Sequence, residues 1–429
     1  MPGNPLLAGK TTRSNNSDGS NGADNGNWPP EDILEASLLA YAKERLSLNE
    51  RIQRLRENHG LIVGLTLLKK LNVHFKVPSA RKPPPREVAD QLILDKMSED
   101  ANRLRGTGSI MAALSLDGHN IPRRVIRETV LNNDPDGVDG RYPGRKKVKR
   151  VRLQAQGTWQ EVHCDGHEKL GALALRMGGV GLPIYGMRDK WSGAVLYLVV
   201  VPNDRLADTI GHVYLDFIEL YGVMAQQTTV DKGSETGNMY AIVTGLKETY
   251  APDICLNRYP AFVALTSTNN TPIESLWHWF QDHYGKNLFL HVTRGKDEGI
   301  FNPNNPMHVH LFNWIWPPII QGELDHFTTW WNMHRIRKQN NKNMPSGSTP
   351  NAVFTSPEHY CGRRFSIPIP REATHAMRST IATSYEDALA WVPPEFDELA
   401  NLAYKELDSP ECSAETAWEV FRDMAALIE

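Results

Sequence analysis

Three acidic residues in one stretch of the chain have the types and settings to do chemistry. Asp165 lies in Val162-His163-Cys164-Asp165-Gly166-His167, a short extended run that stops at glycine. Asp231 lies in Gln227-Thr228-Thr229-Val230-Asp231-Lys232-Gly233, a β-branched run that again stops at glycine. Glu274 lies in Thr271-Pro272-Ile273-Glu274-Ser275-Leu276-Trp277, where Thr271 reads as a cap and Pro272 as a first helical position. Two aspartates at strand ends and a glutamate in a first helical turn can converge. A convergent trio repels itself, so it implies either a bound cation or a protonated member. Mg²⁺ takes hard carboxylate oxygens and keeps several waters. Two such ions about 3.5–4 Å apart neutralise the attacking and leaving oxygens of a phosphodiester in transfer. Taken singly, each acid is an ordinary loop or cap residue; the order and flanks of the set favour a site.

The elements around these residues follow from hydrophobic pattern. Strands are expected at Val162 to Asp165, Leu182 to Met187, Ala194 to Val201, Gln227 to Val230 and Ala261 to Leu265. A helix is expected from Thr209 to Tyr221, with Val213, Phe217 and Leu220 on one face, and another around Leu246 and Tyr250. Glu274 opens the next. Strands interleaved with helices on the sheet faces make an α/β layer architecture, which sets strand ends side by side. Trp277 and Phe280, at helical spacing, read as core. His278 and His283 match no zinc spacing and read as structural. Leu311 to Trp316 is expected to stop at Pro317-Pro318, with a separate amphipathic helix from Ile319 to Trp331.

The order Asp, Asp, Glu with these flanks resembles the Asp-Asp-Glu integrase and transposase core. The nearest resemblance is to the integrase-core family of transposon-derived proteins found in fungal and animal genomes. Asp165-Gly166-His167-Glu168-Lys169 echoes its Asp-Gly-x-His-Lys element. Asp231-Lys232-Gly233-Ser234-Glu235 matches Asp-Lys-Gly-x-Glu, and Asn270-Thr271-Pro272-Ile273-Glu274-Ser275-Leu276-Trp277 matches Asn-x-x-Ile-Glu-x-x-Trp. Trp331-Asn332-Met333-His334-Arg335-Ile336-Arg337 and Pro345-Ser346-Gly347 resemble its C-terminal end. The resemblance spans roughly residues 90 to 370, and it is the joint spacing, not any one element, that is specific. It implies a ribonuclease H-like core, a mixed five-stranded sheet with helices on both faces. It also implies that Asp165, Asp231 and Glu274 are catalytic residues and ligands of Mg²⁺ or Mn²⁺. The sequence departs from relatives in holding Pro272 and Ser275 where basic residues are common.

The flanks add a second theme. Residues 1–30 are rich in Asn, Gly, Ser and Asp and read as a disordered tail. Residues 31–140 read as helical and helix-turn-helix-like, with the helix from Thr66 as a candidate major-groove reader. A plain helical packing unit is the competing reading. Arg123, Arg124 and Arg127 lie on a later helix that suits phosphate or base contacts, or simply a solvated face. The densest basic run is residues 141–153, where Arg145, Lys146, Lys147, Lys149 and Arg150 are candidates for DNA backbone contact or nuclear import. His334-Arg335-Ile336-Arg337-Lys338 suits either a helix C-terminus or DNA. Residues 154–370 are the expected catalytic core, and residues 371–429 an acidic helical C-terminal segment.

Composition bounds the rest. The chain has 429 residues, enough for two or three domains, and a formal net charge of −3 that conceals a basic middle and an acidic end. No apolar run reaches membrane-spanning length, no secretory leader is visible, and the four cysteines form no Cys-x-x-Cys. A reducing compartment, the nucleus, is the expectation. The leading expectation is metal-dependent DNA strand transfer by a DNA-binding, self-associating protein without a membrane partner. The alternatives are a catalytically inactive, domesticated DNA-binding protein and an RNA/DNA hybrid nuclease.

Overall fold

The computed structural model describes residues 25–100, 105–135, 154–255, 259–265, 270–340 and 342–428. The chain divides into two compact units, Met1–Arg145 and Lys146–Glu429. The basic linker and residues 1–24 of the expected tail lie outside the described residues.

The first unit is helical: α1 (Glu31–Lys43), α2 (Leu48–His59), α3 (Leu65–His74), α4 (Arg86–Ser98), α5 (Thr107–Leu116) and α6 (Arg123–Asn133). A capping box starts α2: Ser47 accepts from the Glu50 amide, and the Glu50 side chain accepts from the Ser47 amide. Gly60, at φ 66°, ends it in the left-handed region. Leu34, Leu38, Leu55, Leu68 and Leu71 are buried in the first three helices. Ile93, Ile110, Leu114, Ile126 and Val130 form the core of the next three.

The second unit is built on a five-stranded sheet. Its strands are β1 (Glu161–His167), β2 (Ile184–Asp189), β3 (Val195–Val200), β4 (Gln227–Asp231) and β5 (Phe262–Leu265). Their order is β3-β2-β1-β4-β5. The first three run antiparallel; β1, β4 and β5 run parallel. α7 (Ala207–Tyr221) and α8 (Gly237–Tyr250) cover one face. Tyr185 and Met187 of β2 join Val213, Phe217, Ile242 and Leu246 in that core. Gly186, between them, faces the other way, where an added Cβ would come within 2.6 Å of the Trp277 indole. Helices therefore lie on both faces. With both faces covered, Val162, His163 and Cys164 are buried in succession rather than in alternation.

On that second face lie α9 (Thr271–Phe280), α10 (Lys286–Asp297) and α11 (Pro306–Met333). α11 is one helix of 28 residues and runs through Pro317 and Pro318, where the sequence suggested a break. Each proline costs about 3 kcal/mol in a helix interior. The continuous apolar stripe Phe312, Ile315, Trp316, Ile320, Leu324, Phe327 and Trp331, buried on both sides of the pair, outweighs that cost. The same helix seals the sheet edge. Asn332 accepts from the Val195 amide at 2.9 Å and donates to its carbonyl at 2.7 Å. Gln321 accepts from the Val200 amide and donates to the Leu198 carbonyl, both at 3.1 Å. The two side chains are separated by about 16 Å along the helix, close to the length of about five strand residues.

The acidic C-terminal segment folds onto this unit. Its helices are α12 (Arg371–Arg378), α13 (Tyr385–Leu389), α14 (Pro394–Glu406) and α15 (Ala417–Ile428). Trp418 is buried, packs on Phe301 and Trp316, and donates its indole N–H to the His291 carbonyl at 2.8 Å. Arg378 pairs with Asp216 and Glu219 of α7 at 2.8 and 3.0 Å.

Candidate metal centre

Parallel pairing of β1 with β4 sets the first two acids side by side. The register pairs His163 with Thr229, and Asp165 and Asp231 follow two residues further along each strand. Asp231 is the last residue of β4. Glu274 reaches them from the first turn of α9. One carboxylate oxygen from each of the three lies within 4.8 Å of the others. No other cluster of three or more potential metal ligands occurs among the described residues.

A set of polar contacts fixes α9 against β1. Asn270, not Thr271, is the residue before the helix, and its side chain caps nothing. It accepts from His163 Nδ1 at 2.5 Å and donates to the Cys164 carbonyl at 3.2 Å. His163 Nε2 in turn lies 2.9 Å from Glu161, which also holds Lys190 at 2.6 Å and accepts from Thr229 at 2.9 Å. Burial pushes the Glu161 carboxyl up, but His163 and Lys190 prevail and hold it at about 2. Arg188, buried on β2, grips the helix from its far side. It donates to the Pro272 carbonyl and, at 2.7 Å, to Ser275 Oγ, and its guanidinium lies 5.0 Å from the Trp331 ring centroid.

The electrostatics are those of crowded acids. Burial, then Asp231 and Glu274, push Asp165 up to about 8, against the pull of a hydrogen bond from Trp277. Burial and Asp231 raise Glu274 as well. Asp231 Oδ1 is buried and has no hydrogen-bond partner. A carboxylate oxygen left bare among two other acids is the environment a hard divalent cation satisfies, so the three residues fit such an ion.

Trp277 was read from sequence as core. It is 4% exposed, yet its Nε1–H donates to Asp165 Oδ2 at 2.8 Å. Its ring stacks on His167 with centroids 4.7 Å apart. Burial drops His167 to about 4, which keeps the stacked imidazole neutral at pH 7. The signal was available: Glu274 and Trp277 are three residues apart and share a helix face. Asp204 has no comparable motif; its carboxylate lies beside Gly166, where an added Cβ would meet it at 2.8 Å and push it aside. Burial and Glu168 push Asp204 up to about 6.

Arg123, Arg124 and Arg127 are exposed on α6 in the other unit, and Arg124 is 3.5 Å from Glu128. Arg145, Lys146, Lys147, Lys149 and Arg150 fall outside the described residues. His283 is structural: its ring is 5.0 Å from both Trp279 and Trp330. No described helix is long and apolar enough to cross a membrane.

The sheet order, with two parallel strand ends and a helix start meeting at three acids, defines a ribonuclease H-like core. Residues 156–357 match the family model of the integrase core domain. No curated protein sequence matches the chain. Among solved structures, the Mos1 strand transfer complex shares 13% identity over 63% of this chain and 96% of its own, at a TM-score of 0.16. The Mos1 transposase paired-end complex with left transposon end shares 12% identity over 63% and 97%, at the same TM-score. Superpositions this loose add nothing to the fold, which rests on the strand order and the family match.

Proposed function

We propose that the protein is a metal-dependent DNA strand-transfer enzyme of integrase type. Asp165, Asp231 and Glu274 would hold two Mg²⁺ or Mn²⁺ ions. The observation that carries this reading is the convergence of the three carboxylates, one with a bare buried oxygen, inside an integrase core domain. When bound, such ions would supply activation of a water or a DNA 3′-hydroxyl and neutralisation of the leaving oxygen. The chain's own part is positional. Trp277 ties up one oxygen of Asp165 and leaves the other for the centre. Asn270 and Arg188 lock the first turn of α9, which sets the reach of Glu274. Arg123, Arg124, Arg127 and the basic run from Arg145 to Arg150 belong to the same proposal as DNA contacts. So do self-association, which the resemblance to integrases implies, and a nuclear location, where chromosomal DNA lies.

The test is strand joining with a labelled duplex in Mg²⁺ or Mn²⁺, wild type against Asp231→Asn, with DNA binding measured in parallel. Joining should vanish in the variant while binding persists. Equal joining by the variant would end the proposal. A wild type that binds DNA in a salt-dependent way and never cuts or joins it would instead be a domesticated binding protein.

A further inference from the structure

Between Asp325 and Glu358 the chain contains no acidic residue, and within that span it carries Arg335, Arg337, Lys338 and Lys342. A cationic helix C-terminus would account for such residues if they stood in the last turn, where they favour the macrodipole. They do not. α11 ends at Met333, and Arg335, Arg337 and Lys338 stand beyond it. The chain there turns back on itself: the Ile336 amide donates to the Ser348 carbonyl and the Gly347 amide to the Ile336 carbonyl, both at 3.0 Å. The Gln339 amide donates to Ser346 Oγ at 3.0 Å. Gly347, at φ 85°, permits the return, and Met344 anchors it in a core with Trp191 and Val353. The result is a pinned arm. Arg335, Arg337 and Lys338 are exposed on it, without a carboxylate partner among the described residues.

One ring contact connects this arm to the helix that carries Glu274. At its base, the His334 ring lies 5.8 Å from Trp279, which stands 41% exposed on α9. The exposed cations thus begin where the outer face of α9 ends. A stiff run of unpaired guanidinium and ammonium groups beside a carboxylate centre suits a polyanion whose charges recur at regular intervals.

We infer that the arm from Arg335 to Lys338 is a track for the phosphate backbone of duplex DNA, delivering one strand to Asp165, Asp231 and Glu274. This rests on the DNA strand-transfer reading above. Each phosphate neutralised contributes about 0.9 to the slope of log K against log salt. The experiment measures binding of the full chain to a 30-base-pair duplex of arbitrary sequence, in EDTA, across about 50–200 mM KCl. Combined Arg335→Gln, Arg337→Gln and Lys338→Gln should lower the slope by about 2.7, three phosphates' worth. Combined Arg371→Gln, Lys405→Gln and Arg422→Gln removes the same charge from the C-terminal helices and should leave the slope alone. Asp231→Asn should leave it alone too. All six basic positions are exposed, so thermal unfolding should match wild type. An unchanged slope in the arm variant, or an equal fall in the control, overturns the inference while leaving strand transfer standing. Absence of DNA binding by the wild type overturns both.

Discussion

The indole N–H of Trp277 and the carboxylate of Asp165 form a 2.8 Å hydrogen bond between α9 and β1. It joins the element that carries Glu274 to the residue Glu274 must meet. Partners of this kind orient metal-binding carboxylates, and their loss typically costs 10–100-fold in metal affinity. Trp277→Phe keeps an aromatic ring beside His167 and removes the donor together with part of the indole's bulk. We expect Mn²⁺ affinity by calorimetry to fall about tenfold, with stability lowered by about 1 kcal/mol. Gly186→Ala should do the same by another route, since its Cβ would press on the indole at 2.6 Å and on Leu198 at 2.8 Å. Undiminished Mn²⁺ affinity in both variants would show that the bond does not orient Asp165.

Asp231 carries the cost of the centre in the absence of an ion. Its Oδ1 is buried without a partner, and its charge raises both Asp165 and Glu274. Asp231→Asn should therefore stabilise the metal-free protein by about 1 kcal/mol, a rise of about 2–4 °C in the unfolding midpoint. Mg²⁺ should stabilise the wild type by mass action and leave the variant unmoved. Thermal unfolding in EDTA and in Mg²⁺ checks both. A variant less stable than wild type in EDTA would mean that the acids do not repel.

Much of this centre was legible in the sequence, and the reason is local. Asp165 and Asp231 end short extended runs at glycine, and Pro272 marks the start of α9, so each setting is written within a few residues. What lay hidden depends on contacts across long separations. Asn270 looked like motif context, yet its side chain reaches His163 and Cys164, more than a hundred residues away in the chain. Trp277 has the spacing of a core residue and is one; only the position of its Nε1 reveals the second role. Pro317-Pro318 looked like a break because local propensity says so. The buried stripe on either side, and the bonds from Gln321 and Asn332 to β3, are tertiary terms that propensity does not see.

Glu161 should make the core sensitive to acid. Its folded pKa of about 2 lies below the unfolded value near 4.5. A depressed carboxyl contributes stability that is complete above the unfolded pKa and lost as pH falls through the folded one. Glu161→Gln should therefore cost about 2–3 kcal/mol at pH 7, and the gap from wild type should close between about pH 4.5 and pH 2. Urea unfolding at pH 7, 5 and 3 measures it. A gap that stays constant across that range would show that the contacts to His163 and Lys190 act through packing rather than charge.

The edge of the sheet gives the last prediction. β3 is an outer strand, and a free edge exposes a row of unpaired amides and carbonyls that invite another chain. Here Asn332 satisfies both polar groups of Val195, and Gln321 the Val200 amide and the Leu198 carbonyl. Asn332→Leu keeps the bulk and strips both bonds from Val195, so it should cost about 1–3 kcal/mol for the groups left unpaired. Gln321→Leu should cost a similar amount. With both changed, the edge is open along its length, and the protein should self-associate at concentrations where the wild type does not. Denaturant unfolding and light scattering, taken together, separate the two effects. A double variant as stable as wild type would mean that water serves the edge as well as α11 does, and that the helix is held by its apolar stripe alone.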